Sequence, residues 1–529
     1  MNRIFKISNL IVGIVFALIL SWILLLVCFF GANSDYACKK TFLLSNPVLM
    51  LLGIVMIGFA FFFVGKYYKG IEGFLSVYGN KTLWGLLVLF VATQIYACYN
   101  YYFITGWDVE YIMQTSEAIA YKEYENIPHQ YFSTYPNNVL ICYLFSLILR
   151  FEALFGITSI ETGVFGIIVF QILITAFISY LVYKFVLDYS HSFTLAFSVW
   201  LVYILFIGLS PWKIIPYSDS TGLLFPMLVI YIFSTTKNNK KLVLKYALIG
   251  LFSFLGYKIK PQAIFTLIAV LIAELLFNFF RKFDKQTCKQ LAVKFVSVAM
   301  AFVLSSSVFS TFIVPKTQIE IDENISFSMA HLLMMGLNNQ TNGVYSSDDF
   351  AFSKNYASYE VRKDLNLLKA RARLEDMGVV GTAKLFAKKT LTNYNDGTFA
   401  WSAEGNFYSK TFEDKNKFFS PFLKNIFYES GKYYNLYSTS LQMVWLLLLI
   451  GLIGVFVKGK FNFFEHKEVY AMLLCIIALT FFETLFEARA RYFFLYSPVY
   501  LICGMLGMIN IVAELKGRFN KKKNRTNAP

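Results

Sequence analysis

Apolar residues in this chain fall into long uninterrupted blocks separated by short polar bursts. Strict alternation, the mark of a half-buried strand or a membrane β-barrel, is missing. The blocks run to about 18–24 residues, enough for a helix to cross a hydrocarbon core of roughly 30 Å. The first three read as helices over Leu10–Phe30, Pro47–Val64 and Thr82–Phe103. The pattern predicts an all-α polytopic membrane protein, a helical bundle with about 12 crossings drawn from about 13 apolar segments.

The polar bursts set the expected orientation. Lys and Arg gather at the N-terminus (Arg3, Lys6), in "KYYKG" with Lys81, in "TTKNNKKLVLK" (235–245), "RKFDKQTCK" (281–289) and "KGKFNFFEHK" (458–467), and in the tail "KGRFNKKKNR". Short basic loops mark the cytoplasmic side, so both termini are expected inside. The chain divides on this reading into two N-terminal helices (1–81), a transmembrane core with an acidic first external loop at 103–137 (82–315), an extracytoplasmic mixed segment (316–438), C-terminal transmembrane helices (439–515) and a basic tail (516–529). Three apolar runs (138–157, 164–187 and 192–209) separate Asp108 from Asp219, and both acids are expected outside. One of the three runs therefore does not cross. The segment 316–438 is long enough to be a subdomain, with an amphipathic helix expected around "EVRKDLNLLKARARLEDMG".

Composition narrows the class. Of 529 residues 57% are hydrophobic and only 15% charged, against about 25% in a soluble domain. The formal net charge of +16 sits in loops between apolar blocks, so it indicates membrane orientation and not nucleic acid. Cys28, Cys142, Cys475 and Cys503 lie inside apolar blocks, no CxxC spacing occurs, and no disulfide framework is implied. High Lys, Asn, Ile, Phe and Tyr usage fits an AT-rich bacterium and its cytoplasmic membrane.

Charges held at membrane depth are costly, and each is a functional candidate. Asp108 and Glu110 in "ITGWDVEYI" end the third apolar block beside Trp107; a carboxylate at the rim of an apolar cavity is suited to act as a general base. The loop "YENIPHQYFSTYPNN" follows, shaped by Pro128 and Pro136, and offers His129, Tyr131, Tyr135 and Asn137 as hydrogen-bonding groups for a sugar. Asp219 in "PYSDS" either caps the next helix or joins the site. Lys258 and Lys260 in "YKIKPQ", with Glu487, Arg489 and Arg491 in "EARARYFFLYSP", set positive charge at the outer interface, suited to a lipid-linked phosphate. No P-loop, GxGxxG, nucleophile elbow or HExxH occurs, and no cytoplasmic segment is large enough for a nucleotide-sugar.

In order along the chain, Asp108, "YPNN" (135–138), Asp219, "KPQ" (260–262) and "EARARYFFLYSP" (487–498) resemble the motifs of the GT-C class of integral membrane glycosyltransferases, which includes protein O-mannosyltransferases and aminoarabinose transferases. The resemblance spans roughly residues 80–515. It implies a polyprenyl-phosphate sugar donor, an envelope glycan, lipid or protein acceptor, Asp108 as the base, inversion at the anomeric carbon, and the cationic set on the departing phosphate. Whether Asp108 acts alone or with Glu110, and whether a divalent metal takes part, stays open. Two other classes share these features in part: a polysaccharide polymerase or ligase, and a flippase or exporter of lipid-linked glycans.

Overall fold

The computed structural model describes residues 3–30, 42–235, 241–280, 284–356 and 358–526. The basic clusters at 236–240 and 281–283 and the last residues of the tail lie outside the described residues. In chain order the elements begin with α1 (Arg3–Phe30), α2 (Asn46–Tyr101), β1 (Phe103–Thr105), α3 (Asp108–Tyr121), α4 (His129–Thr134), α5 (Val139–Ala153), α6 (Ile160–Ser190) and α7 (Phe193–Tyr203). The middle of the chain adds α8 (Ser218–Gly222), α9 (Leu224–Ser234), α10 (Leu242–Ile259), α11 (Ile264–Glu274), α12 (Lys285–Val308) and α13 (Val314–Thr317). The last third holds α14 (Met329–Gly336), α15 (Ser347–Lys354), α16 (Tyr359–Tyr394), β2 (Tyr408–Thr411), α17 (Phe419–Phe427), α18 (Tyr434–Gly451), α19 (Lys467–Leu485), α20 (Ala490–Phe494) and α21 (Ser497–Thr526). Nine helices among the described residues are long and apolar enough to cross a membrane. The described sheet is one antiparallel pair, Phe103 opposite Thr411 and Ile104 opposite Lys410. The end of the bundle that carries this pair also carries the site.

Helix α2 corrects the expected layout. The polar stretch around Lys66, Lys69 and Lys81 was expected to be a loop, with a boundary at 81/82, yet the helix runs unbroken for 56 residues. Straight, it would reach about 84 Å at ~1.5 Å per residue. Both of its ends nevertheless lie at the site end. Asn46 donates to Asn395 at 2.5 Å, and Asn100 accepts from Ser420 at 2.7 Å. The middle sits at the opposite end, where Glu72 accepts the backbone N–H groups of Phe193 and Thr194, each at 2.8 Å, and so caps α7. The helical run therefore bends over on itself. Polar residues at an interface do not require a loop, because a helix satisfies its own backbone groups there.

Of the three expected apolar runs, the one at 138–157 forms α5, which is not among the helices long and apolar enough to cross a membrane. Its 15 residues reach only about 22 Å. It starts at Asn138, whose amide donates to the Tyr131 hydroxyl at 2.7 Å. It ends with Glu152 packed on Gly163 and Gly166, near the start of α6. That start is itself held at the site end by the Glu161–Lys410 ion pair to β2.

The segment 316–438 is mostly helical; β2 is its strand and pairs outside it. The expected amphipathic helix is the first part of α16, which breaks at Gly378 (φ 58°). This cap is held by buried charge. Asp349 accepts from Asn338 at 2.9 Å, Lys369 at 3.0 Å and both Arg373 Nη atoms at 2.7 and 2.9 Å. Arg362 donates to the carbonyls of Asn324, Ser326 and Ser353 at 2.8–2.9 Å. The cap docks on the bundle at Phe486 and Ala488: the Lys389 ammonium, which also holds the cap's own Gly336 carbonyl at 2.8 Å, donates to the Phe486 carbonyl at 2.5 Å, and Ala488 N–H donates to the Gly343 carbonyl at 2.8 Å.

At the C-terminal end, "GLIG" (451–454) and "GMLG" (504–507) bring α18 and its last turn against α21. A Cβ on Gly454 would fall 1.9 Å from the Gly507 carbonyl oxygen, and one on Gly507 2.2 Å from that of Gly451. Small residues let membrane helices approach this closely, and the contact fixes the helix that follows Arg491. Gly454→Ala is expected to cost about 1–3 kcal/mol through overpacking and to lower the thermal unfolding midpoint in detergent. Gly85→Ala, whose Cβ meets nothing within 4 Å, is expected to leave the midpoint unchanged or raise it.

Candidate functional site

Asp108 opens α3, where a carboxylate is favoured by the helix N-terminus. The residue before it, Trp107, adopts φ 51° and is fixed by its indole N–H, which donates to the Thr105 hydroxyl of β1 at 3.1 Å. Strand pairing of β1 with β2 therefore sets where Asp108 starts. Tyr217 packs edge-on to Trp107 at 4.9 Å, and its hydroxyl donates to Asp108 Oδ2 at 3.0 Å. Burial pushes the Asp108 carboxyl above the usual carboxylate range, against the opposing pull of the Arg491 charge and of the Tyr217 hydrogen bond. Burial likewise holds the Tyr217 phenol well above its usual range, so it remains a donor.

A second group of charges sits beside this arm. Asp219 belongs to α8 without capping it, since the position before the helix is Tyr217. Its carboxylate pairs with Lys260, both side chains nearly inaccessible, and lies 4.0 Å from Arg491 Nη1. Lys260 has left α10 for an extended conformation and lies 4.8 Å from the centre of the Tyr492 ring. The Arg491 guanidinium stacks over Trp107 at 4.6 Å and Tyr217 at 5.4 Å. Arg489 binds Glu487 through Nε at 2.8 Å and Glu404 through Nη1 at 2.6 Å. Arg491 Nε lies 3.1 Å from the same Glu404 oxygen. Behind them the buried Glu483 accepts the Arg489 backbone N–H at 3.3 Å.

The structure thus brings together Asp108, Asp219, Lys260, Glu487, Arg489 and Arg491, with Tyr135 alongside. It does not bring in Lys258. That residue stays on the last turn of α10, and its ammonium lies over Phe309 at 5.0 Å and over Tyr257 at 5.8 Å. Two positions apart across a helix end, Lys258 and Lys260 diverge. Glu110 also parts from Asp108, because two residues on a helix point to nearly opposite sides. It is exposed and lines a neighbouring cleft of about 210 Å³ with Thr105, Gln114, Glu117, Pro216 and Ser409. The loop residues frame the site. Tyr131 stacks on Tyr111 at 4.7 Å, and Tyr135 is edge-on to Phe327 at 5.9 Å. Asn137 donates to Asn138 at 3.0 Å, and His129 Nδ1 accepts the Glu320 N–H at 3.0 Å, tying α4 to the cap. Among the described residues no group of three or more His, Cys, Asp or Glu is gathered as a metal site.

Glu404 and Tyr217 are the residues that the sequence reading missed. Glu404 is the lone acid in the stretch "FAWSAEGNFY", and that isolation among aromatic residues is the signal it carried.

Chemically, the arrangement offers a half-buried carboxylate suited to accept a proton and, brought to it from distant parts of the chain, guanidinium and ammonium groups suited to hold an oxyanion. Helices, site and burial define an integral membrane protein with a charged, enclosed centre at one end of its bundle. The chain belongs to a family described as conserved hypothetical integral membrane protein, whose model matches residues 4–511. No curated protein and no solved structure gives a significant match.

Removing one partner of a buried ion pair strands the other charge, at about 3–5 kcal/mol. Asp219→Asn, which leaves Lys260 without its carboxylate, is expected to lower the unfolding midpoint sharply in detergent. Asp219→Asn combined with Lys260→Met is expected to recover most of that loss in the same measurement.

Proposed function

We propose that this protein is a membrane glycosyltransferase that moves a sugar from a polyprenyl-phosphate donor to an envelope acceptor on the outer face of the bacterial cytoplasmic membrane. The observation that carries the reading is the meeting of Asp108, from the start of α3, with Arg489, Arg491 and Lys260, from distant parts of the chain. A base and an anion clamp in one enclosed site are what an inverting transfer from a lipid phosphate needs. The motif order of the GT-C class supports the same reading.

In this mechanism the acceptor hydroxyl oxygen attacks the anomeric carbon from the face opposite the phosphate. Its proton passes to the Asp108 carboxylate. The bond between the anomeric carbon and the phosphate oxygen breaks, and the electron pair leaves with the polyprenyl phosphate. Arg489, Arg491 and Lys260 neutralise the charge that grows on that oxygen, and fixed cations in a water-poor site do so with little reorganisation. Tyr217 holds Asp108 in position and keeps its pKa from rising further.

The test is the glycan composition of the envelope, by mass spectrometry and NMR, in a gene deletion complemented at matched protein levels. General-base removal costs about 10²–10⁴ in rate, so Asp108→Asn is expected to leave one sugar substituent missing while the backbone polymer persists. Full restoration by Asp108→Asn would remove the base assignment, and loss or shortening of the whole polymer would favour a polymerase or exporter. Asp108 works as a base only when ionised, and burial raises its pKa, so the rate is expected to fall on the acid side of a pH profile. Tyr217→Phe removes a bond that stabilises the ionised form, and the acid limb is expected to move to higher pH.

A further inference from the structure

Glu404 occupies the place that the transferase reading reserves for an anion. One of its oxygens accepts from Arg489 Nη1 at 2.6 Å and lies 3.1 Å from Arg491 Nε, which has no hydrogen-bond partner among the described residues, so two guanidiniums converge on one oxygen and only one of them is satisfied by it. Its other oxygen, Oε1, is buried and has no hydrogen-bond partner among the described residues. The Glu404 side chain is only 9% exposed. Asp219 Oδ2, on the far side of Arg491, is likewise buried without a hydrogen-bond partner among the described residues. The acids around these arginines are thus incompletely matched, and a buried polar atom without a partner is a cost that a better-fitting ligand relieves.

The backbone that delivers Glu404 is also strained. Phe399 (φ 56°) and Ala400 (φ 63°) both adopt left-handed conformations, unfavourable for residues with a side chain. Such strain persists only where its surroundings impose it. Here Asp396 imposes it, accepting the Thr398 N–H at 2.8 Å and the Ala400 N–H at 2.7 Å. Residues 401–405 then form a single wide π-type turn, a local irregularity frequent at functional sites. A strained segment thus presses one carboxylate onto two arginines.

We propose that Glu404 stands in for the donor's phosphate, and that a lipid-borne phosphate ester binds Arg489 and Arg491 by displacing it. The proposal rests on the reading of these arginines as the phosphate clamp. Carboxylate and phosphate oxygens compete for the same guanidinium donors, and the phosphate brings more acceptor oxygens to the exchange. With no donor present Glu404 keeps the two cations paired and the buried centre neutralised. On exchange the 398–411 segment loses its anchor to the arginines.

The experiment uses the full-length protein in detergent, with farnesyl phosphate and inorganic phosphate as probes. Binding is read by thermophoresis and the 398–411 segment by hydrogen–deuterium exchange. If the paired state is populated about nine-tenths of the time, Glu404→Gln is expected to bind farnesyl phosphate about tenfold more tightly. Glu487→Gln removes an equal charge from Arg489 while leaving Glu404 in place, and it is expected to tighten binding far less. Equal gains for both variants would mean charge removal alone, and would overturn the displacement. In wild type, farnesyl phosphate is expected to raise deuterium uptake across 398–411; lowered or unchanged uptake would overturn the displacement even if Glu404→Gln fails to fold. Arg491→Gln separates the two readings. If it binds farnesyl phosphate as wild type does, the clamp itself fails. If it loses binding while Glu404→Gln shows no gain, the clamp stands and the displacement falls. Equal binding of inorganic phosphate by wild type would overturn the assignment to a lipid-borne ester.

Discussion

A charge withdrawn from water must meet its opposite or be neutralised, and the carboxylate–guanidinium network around Glu404, Arg489 and Arg491 is where this chain meets that condition most densely. The turns that carry Asp219, Glu404 and Arg489 meet in it. Arg491 touches Trp107 and Tyr217 through its face while its edges turn to Glu404 and Asp219. That single side chain fixes the start of α3, the approach to α8 and the turn before β2. Asp219 in turn holds Lys260 at the break between α10 and α11. Five separated stretches converge because none of their charges is satisfied alone. Such a network gives little net stability compared with an apolar core of similar size; its effect is to define one arrangement and to leave the centre polar.

Much of this was legible because membrane proteins make charge conspicuous. Asp108, Asp219, Lys260, Glu487, Arg489 and Arg491 each stand at the edge of an apolar block, where nothing in the hydrophobic pattern accounts for them. What hid the rest is equally physical. Glu404 lies in a long polar segment where acids are common, and its burial arises only from packing against residues eighty-five positions away. Lys258 and Glu110 were grouped with their neighbours by proximity along the chain, but helical rotation turns them elsewhere. The stretch Gly65–Lys81 has the composition of a loop, and composition does not distinguish a loop from a helix lying at an interface. The shortness of α5 was not legible in its apolar run, because hydrophobicity alone does not show where a helix ends.

The cap contributes position. Within its first part charges are spent internally, with Asp349 collecting one lysine and one arginine and Arg362 collecting carbonyls, whereas Glu404 reaches Arg489 and Arg491 of the bundle. What that first part offers the bundle is backbone contact at Gly336, Gly343 and Phe486, next to the turn that carries Glu487 and Arg489. The Glu404–arginine cluster is therefore built on a seam between the cap and the apolar helices, and its geometry depends on both. Family membership establishes that the chain is an integral membrane protein; the assignment of chemistry rests on this seam and on the arm that carries Asp108.

The position of the two arginines in the chain has a consequence for biosynthesis. Membrane proteins are made from the N-terminus, and early segments fold before late ones exist. Asp108, Asp219 and Glu404 precede Arg489 and Arg491 in the chain, so all three are made before either arginine. Until then Asp108 lacks the Arg491 charge that opposes its burial, and its carboxyl is held higher still. Synthesis of Arg491 is thus also the step that draws the Asp108 carboxyl back down. A ribosome that stalls before residue 489 leaves a bundle in which Glu404 has neither of the two arginines that hold it.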